Sequence, residues 1–470
     1  MDVLATVFQS VLDLGAAVFL PIVMFIIGII VGMKPGEAIS AGLILGVALV
    51  GVNEVQTFMS NTVGVAAQAF VENTGIQLTA LDMGWAPAVT PCWAWPYAFL
   101  MFPIQIGINM IMLFIKQTDT LNVDTWNVVN KIFTAFIVTY VTNNVLLGFV
   151  FASIEVVLEL KNSDHMKNQV TELTGIPGVG LPHPIFLENV FFYPIARLLD
   201  KVMPESSKID AAALRRKIGI FGENHILGFI IGTAIGLLGN QGVAALMTGV
   251  QAGCALTLFP MVSKLFMQAL SPISEVANGF VKKHFPGREM VIGLDWPILA
   301  GAPEIWVTII LTIPVALAVS VILPGNTVLP FGNLMTVAVA APAYVACKGD
   351  LRKMLIISFL WVPVFCYAAT VFSPMVTALQ AETGAALPAG QMIGWWGMDD
   401  SGLRLALIEA VQLNPIGIAV LVLFAVLAFF YFRWMNQEEH AAAVRMGWIS
   451  DEPETKETAD TATASVVEEK

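Results

Sequence analysis

The chain has 470 residues, 57% of them hydrophobic and 12% charged, with a mean hydropathy of +0.77 and a formal net charge of −12. Soluble domains carry roughly 25% charged residues, so this composition excludes an ordinary soluble globule and points to a polytopic membrane protein embedded in a lipid bilayer. It offers no basic patch for a nucleic acid, and the four cysteines (Cys92, Cys254, Cys347 and Cys366) lack metal-ligand spacing.

Residues 1–14 read as a short amphipathic lead-in. Ala16–Met33 is the first predicted span, too long and too poor in basic residues for a cleavable leader. Lys34-Pro35-Gly36 turns the chain into a second span, Glu37–Gln56, where Gly42 and Gly46 stand one helical turn apart. That spacing lets helices approach closely in lipid. Thr62–Asn73 has a helical period but is too short to span, so it is expected flat at the interface. Ile76–Trp95, IQLTALDMGWAPAVTPCWAW, is apolar yet broken by Pro87 and Pro91. Non-helical backbone at membrane depth persists only where protein or a cavity satisfies it, which predicts a re-entrant hairpin over 76–95. Tyr97–Lys116 reads as a span. Ile132–Leu160 reads as one long span with the polar trio Thr142-Asn143-Asn144 near its middle. A Gly/Pro loop, 175–184, holds His183, and amphipathic Phe186–Leu199 follows it.

The basic stretch Lys201–Lys217 divides the chain and is expected to face the cytoplasm. Beyond it the plan recurs: apolar Ile226–Leu238 and Ala244–Leu270, an amphipathic helix at 271–284, and a second broken segment, 290–304, with the acidic tip Leu294-Asp295. This tip echoes Leu81-Asp82. Spans at Trp306–Leu323, Leu355–Met375 and Ile416–Phe432 complete a count of about ten transmembrane helices. The expected organisation is a first inverted repeat over 1–200, a cytoplasmic basic loop at 201–222, a second inverted repeat over 223–435, and an acidic, disordered cytoplasmic tail over 436–470. Paired, interrupted segments in two similar halves are a transporter signature, with the substrate site at the breaks.

Several motifs fall in one order along the chain: NVDTWN at 122–127, IPGVGLPH ending at His183, FGE at 221–223, IGLD ending at Asp295, and PGN and LPFGNL between Pro324 and Leu334. Together they resemble the galactitol-type membrane component (IIC) of the bacterial phosphotransferase system, a branch of the ascorbate–galactitol superfamily. The resemblance implies an all-α, homodimeric, elevator-type carrier of two inverted repeats with re-entrant hairpins. It implies no cofactor and no metal. It also implies separate IIA and IIB partners, with a phosphocysteine on IIB phosphorylating the sugar or sugar alcohol as it emerges in the cytoplasm. The chain is not expected to be catalytic alone. It departs from the family pattern at Ala302-Pro303, where a His-Thr pair is usual, at Asn333, where Asp is usual, and in the extra tryptophans of 85–95. Family membership and the identity of the polyol are therefore separate expectations.

A polyol offers only hydroxyls, so its site needs carboxylates and amides beside apolar walls. A carboxylate at membrane depth is costly and by default functional. Asp295 is the first candidate acceptor, with capping of the following half-helix as the competing reading. Asp82, Glu223 and Glu304 are further carboxylate candidates, and Asn143, Asn144 and Asn333 are the amide candidates. Trp85 could stack on the substrate, and His225 stands beside Glu223. His183, whose unperturbed pKa lies near 6.5, is the catalytic candidate that would take the hydroxyl proton, against a loop-fixing hydrogen bond. The alternative function is an ion-coupled secondary transporter that accumulates its substrate unmodified.

Overall fold

A computed structural model describes residues 16–59, 78–82, 95–124, 128–204, 208–210, 223–284, 290–330, 337–382, 392–394 and 400–449, with scattered positions between 61 and 92 and between 213 and 220. Within these residues the protein is helical apart from six strands of two or three residues. In the first half the order is α1 (Ala16–Val31), α2 (Pro35–Met59), β1 (Ala80–Asp82), α3 (Met101–Phe114), β2 (Thr120–Asn122), α4 (Val128–Thr142), α5 (Val145–Thr174), β3 (Val179–Gly180) and α6 (Asn189–Val202). The second half runs α7 (Asn224–Leu238), α8 (Ala245–His284), β4 (Val291–Gly293), α9 (Pro303–Ile322), β5 (Val328–Leu329), α10 (Val337–Ala346), α11 (Leu351–Glu382), β6 (Met392–Gly394) and α12 (Ser401–Val411). The same succession of helices and strands thus occurs twice, and α13 (Pro415–Arg445) follows as an addition.

The strands form two parallel three-stranded sheets, and each takes its middle strand from the other half of the chain. β1 lies between β5 and β6, and β4 lies between β2 and β3. Strands this short have no independent stability. Here they satisfy the backbone groups of the proline-broken segments, which lipid would leave unpaired. The packing behind the two sheets also corresponds. Gly180 of β3 abuts Ser163 of α5, and Gly394 of β6 abuts Ser373 of α11, each too closely for a Cβ. In the first half, one carboxylate oxygen of Asp164 accepts from Thr118 Oγ1, Thr120 Oγ1 and the amides of Asp119 and Thr120, at 2.8–3.1 Å. In the second, Asn326 bonds Ser320 and Val328 and accepts from Thr370 of α11.

α1, α2, α7 and α8 pack mainly on one another, while the remaining helices gather around the two sheets. The close approach expected at Gly42 and Gly46 is present: a Cβ on Gly42 would stand 2.8 Å from the Pro21 carbonyl of α1, and one on Gly46 2.6 Å from that of Ala17. Three helices are long and apolar enough to cross a membrane (Pro303–Ile322, Leu351–Ala381 and Pro415–Arg445), and six shorter apolar helices accompany them among the described residues.

Several expectations change. The span read across 132–160 is a helical hairpin: Asn143 takes a left-handed conformation (φ 52°), and Asn144 caps α5 through the Leu147 amide at 3.1 Å. An αL residue followed by an N-cap ends one helix and starts another, so this polar trio is a turn. Residues 271–284 are not a separate amphipathic helix but the last turns of α8. The broken segment 290–304 is a strand, a 3-10 turn at 296–299 and the first turn of α9. The tail placed from residue 436 onward is helical as far as Arg445. Of the hairpin 76–95 and the interfacial segment 62–73, most residues lie outside those described.

Candidate functional site

In sheets of parallel strands, ligand-contacting groups collect where the strands' C-terminal ends open onto a crevice. At the C-terminal ends of the sheet β2–β4–β3, polar groups of this kind come together. Residues leaving its three strands are held side by side by the bonds from Val123 N to Gly293 O and from Leu294 N to Gly180 O. Two residues beyond β2 stands Asp124, two beyond β4 stands Asp295, and just beyond β3 comes His183. His183 Nε2 lies 3.5 Å from Asp295 Oδ1, so sequence reasoning chose two residues that the fold brings together.

Both also cap the 3-10 turns that follow them. Asp295 Oδ1 accepts from the Trp296 amide at 2.6 Å, and His183 Nδ1 accepts from the Ile185 amide at 3.2 Å. That second bond fixes the tautomer. A neutral imidazole has one donor and one acceptor nitrogen, so with Nδ1 accepting, the single hydrogen sits on Nε2, the nitrogen nearest Asp295. Nε2 also meets the Asn130 amide at 3.3 Å. With a hydrogen on Nε2, the matching amide atom is the oxygen. Asn130 Oδ1 is buried and otherwise has no partner among the described residues. The His183 ring is 3% exposed and the Asp295 carboxylate 21%, so Asp295 is the member of the pair that a ligand can reach.

A buried charged layer supports this group. Lys131 of α4 pairs with Glu159 of α5 at 2.9 Å, both side chains fully buried. Arg404, on α12 of the second half, reaches into the first. Its Nε donates to Thr134 Oγ1 at 2.8 Å, and Nη2 donates to the Asn130 carbonyl at 2.9 Å and to Glu155 at 3.0 Å. Nη1 pairs with Asp400 at 2.8 Å, and the guanidinium sits over the Phe133 ring. Thr134 in turn donates to Glu155 Oε2, and Glu188, at the end of the His183 turn, accepts from the Gly402 amide at 2.6 Å. Buried charges persist only when paired and hydrogen-bonded, and here the pairs tie α12 to the two helices that carry Asn130 and Glu155.

Sequence reasoning missed Asn130, Lys131, Glu155, Glu159 and Arg404. A signal existed, since charged residues inside otherwise apolar helices call for partners. In the sequence, Asn130 and Lys131 look like the loop before a span, and 401–411 suggests no role.

The other predicted residues fall elsewhere. Asp82 closes β1 opposite Gly394, in the other sheet. It sits inside a strand, whereas Asp295 follows one, so the two Leu-Asp pairs occupy different positions despite their similarity. Asn143 and Asn144 are exposed at the hairpin turn. Glu223 precedes α7, and His225 is exposed on that helix, within the α1–α2–α7–α8 group. Glu304 is buried in the first turn of α9, where the helix dipole favours an acid. Trp85 and Asn333 lie outside the described residues. No group of three or more His, Cys, Asp or Glu side chains suited to a metal occurs among the described residues.

Comparison with known proteins decides the class of carrier. Residues 10–390 match the EIIC-GAT family, described as the PTS system sugar-specific permease component. The chain belongs to that family. It is 32% identical over 416 residues to the "PTS system galactitol-specific EIIC component" of Escherichia coli strain K12, covering 87% of this chain and 91% of the relative. It is 30% identical over 438 residues to a "Putative permease IIC component" of the same organism, covering 88% and 96%. This PTS permease is therefore a membrane protein of the phosphotransferase system, and the match does not favour an ion-coupled transporter.

Proposed function

We propose that this PTS permease is the galactitol-type IIC component: it translocates a sugar or sugar alcohol across the bacterial inner membrane while a partner IIB, recharged by IIA, phosphorylates it. The reading includes a homodimer of two inverted repeats moving as an elevator. The recurring order of elements and the exchanged middle strands support the repeat, and the separate packing of α1, α2, α7 and α8 supports two bodies that could shift against each other.

One observation carries the site: the approach of His183 Nε2 to Asp295 Oδ1 at the ends of β3 and β4. In this proposal the Asp295 carboxylate accepts a substrate hydroxyl and then its proton as that oxygen attacks the phosphorus of the IIB phosphocysteine, breaking the P–S bond and leaving the IIB cysteine as its thiolate. His183, expected from the sequence to be the proton acceptor, instead orients Asp295 by donating from Nε2, because Nδ1 is occupied by the Ile185 amide. Asn130 joins them. Asp82, Trp85, Glu223, His225, Glu304 and Asn333 remain candidates for other stages of transport.

The test is uptake of a labelled polyol panel, galactitol included, by membranes carrying this protein with its IIB and IIA. Phosphorylated product dependent on phosphoenolpyruvate is expected. Accumulation of unmodified polyol, with no phosphorylated species, would sink the reading. Within the same assay His183→Ala should lower phosphorylation more than binding, whereas equal loss of both would remove its assigned part.

A further inference from the structure

α6 is amphipathic. Phe191, Phe192, Tyr193 and Ala196 are buried, while Leu198 and Val202 are 62% and 71% exposed. Arg197 and Lys201 share the outer side of the helix, and with Asp200 and Trp434 of α13 they line an open recess of about 390 Å³. Trp434 stacks on Tyr193 at 5.6 Å and touches Phe430 at 6.1 Å. Above the recess, Val422, Val426 and Phe430 continue along α13 as exposed apolar residues. The recess therefore lies where a lipid-facing helix surface gives way to charge, the depth at which indole rings settle in bilayers.

The charges there are unevenly matched. Asp200 is held by Lys353 at 2.6 Å and lies 4.0 Å from Arg197. Glu438 is held by Lys348 at 2.7 Å and lies 3.7 Å from Arg197. Each nearby carboxylate thus has a closer lysine. Arg197 keeps a guanidinium 49% exposed toward the recess, and Lys201 makes no ion pair among the described residues. A neighbouring cavity of about 170 Å³, sharing Arg197 and Asp200, adds Lys208, which is likewise unpaired among the described residues.

We propose that this recess binds the headgroup of an anionic phospholipid. Its phosphate would lie between Arg197 and Lys201, its glycerol edge against Trp434, and an acyl chain along Phe430, Val426 and Val422. The combination of surplus cations, an interfacial indole and a continuous apolar track fits a lipid and no soluble anion, which would use the cations alone. The inference is independent of which sugar is carried.

Each cation near a membrane surface strengthens binding of anionic lipid by about fivefold, so removing both should weaken it by about 25-fold. The experiment is native mass spectrometry of the purified full-length protein with phosphatidylglycerol or phosphatidylcholine, repeated in the presence of inorganic phosphate. The parent should retain phosphatidylglycerol preferentially, R197Q/K201Q should lose the preference, and W434L should reduce retention of both lipids. Phosphate should not compete. Equal retention of the two lipids by the parent, an unchanged preference in R197Q/K201Q, or displacement by phosphate at lipid-like concentrations would each overturn the proposal. Circular dichroism of each variant confirms that a loss of lipid is not a loss of fold, and K201Q alone, at an exposed side chain, supplies a single step of about fivefold should the double variant fail to fold.

Discussion

Arg404→Leu removes a group that faces both Glu155 and Asp400. The parent side chain is 1% exposed and engages Thr134, the Asn130 carbonyl, Glu155 and Asp400, all between 2.8 and 3.0 Å. Breaking a buried ion pair by deleting one partner costs about 3–5 kcal/mol, because the remaining charge stays buried and uncompensated. Here two carboxylates are left, so the upper part of that range is expected. Arg404→Lys keeps the charge but not the planar fork that serves four acceptor groups, and should cost about 1–3 kcal/mol, the penalty of one or two buried acceptors left unmet. Arg404→Leu combined with Glu155→Gln should recover about 1–3 kcal/mol relative to the sum of the single changes, since contacting residues couple at that scale. The assay is equilibrium unfolding of the detergent-solubilised protein, followed by the fluorescence of its buried tryptophans. A loss below about 1 kcal/mol in Arg404→Leu, or strict additivity in the double variant, would refute the claim that this network ties α12 of the second half to α4 and α5 of the first.

Three further outcomes follow from the geometry. Asn144→Ala deletes the N-cap of α5 and should cost about 0.5–2 kcal/mol in the same unfolding assay while leaving substrate affinity unchanged; a large loss of affinity with parent stability would restore the substrate-binding role expected from the sequence. Gly46→Ala places a methyl 2.6 Å from the Ala17 carbonyl and should destabilise the α1–α2 contact by about 1–3 kcal/mol, visible as faster proteolysis between the two helices. Lys131→Met should destabilise by about 3–5 kcal/mol by leaving Glu159 buried alone, and Lys131→Met with Glu159→Leu should be markedly more stable than the single variant.

The membrane class was legible because charge shortage and apolar runs report burial in lipid directly. The close contact at Gly42 and Gly46 was legible because small residues one turn apart have few other uses in a span. Asp295 and His183 could be chosen because each sits at a Pro-broken segment that cannot be plain helix. The sheets could not be read. Strands of two or three residues carry no period, and the pairing of β1 with β5 and β6 joins segments from opposite halves, which no local pattern encodes. The turn at Asn143 was legible in principle from its αL-prone Asn-Asn pair, but the apolar residues on either side read as one span. The apparent match of Asp82 to Asp295 rested on two shared letters, and strand register, which shifts by single residues, separated them. Arg404 was passed over because a lone arginine in a short amphipathic segment ordinarily faces water, and only the fold supplies its partners.

The most direct test of the account is the affinity of purified protein carrying Asp295→Asn for labelled galactitol, measured beside phosphoryl transfer from IIB. A charge-assisted hydrogen bond contributes about 1.5–3 kcal/mol, so binding should weaken by about 10- to 150-fold, and transfer should fall further because an amide takes up no proton. Parent affinity together with parent transfer in Asp295→Asn would contradict the assignment of the site to the ends of β2, β3 and β4.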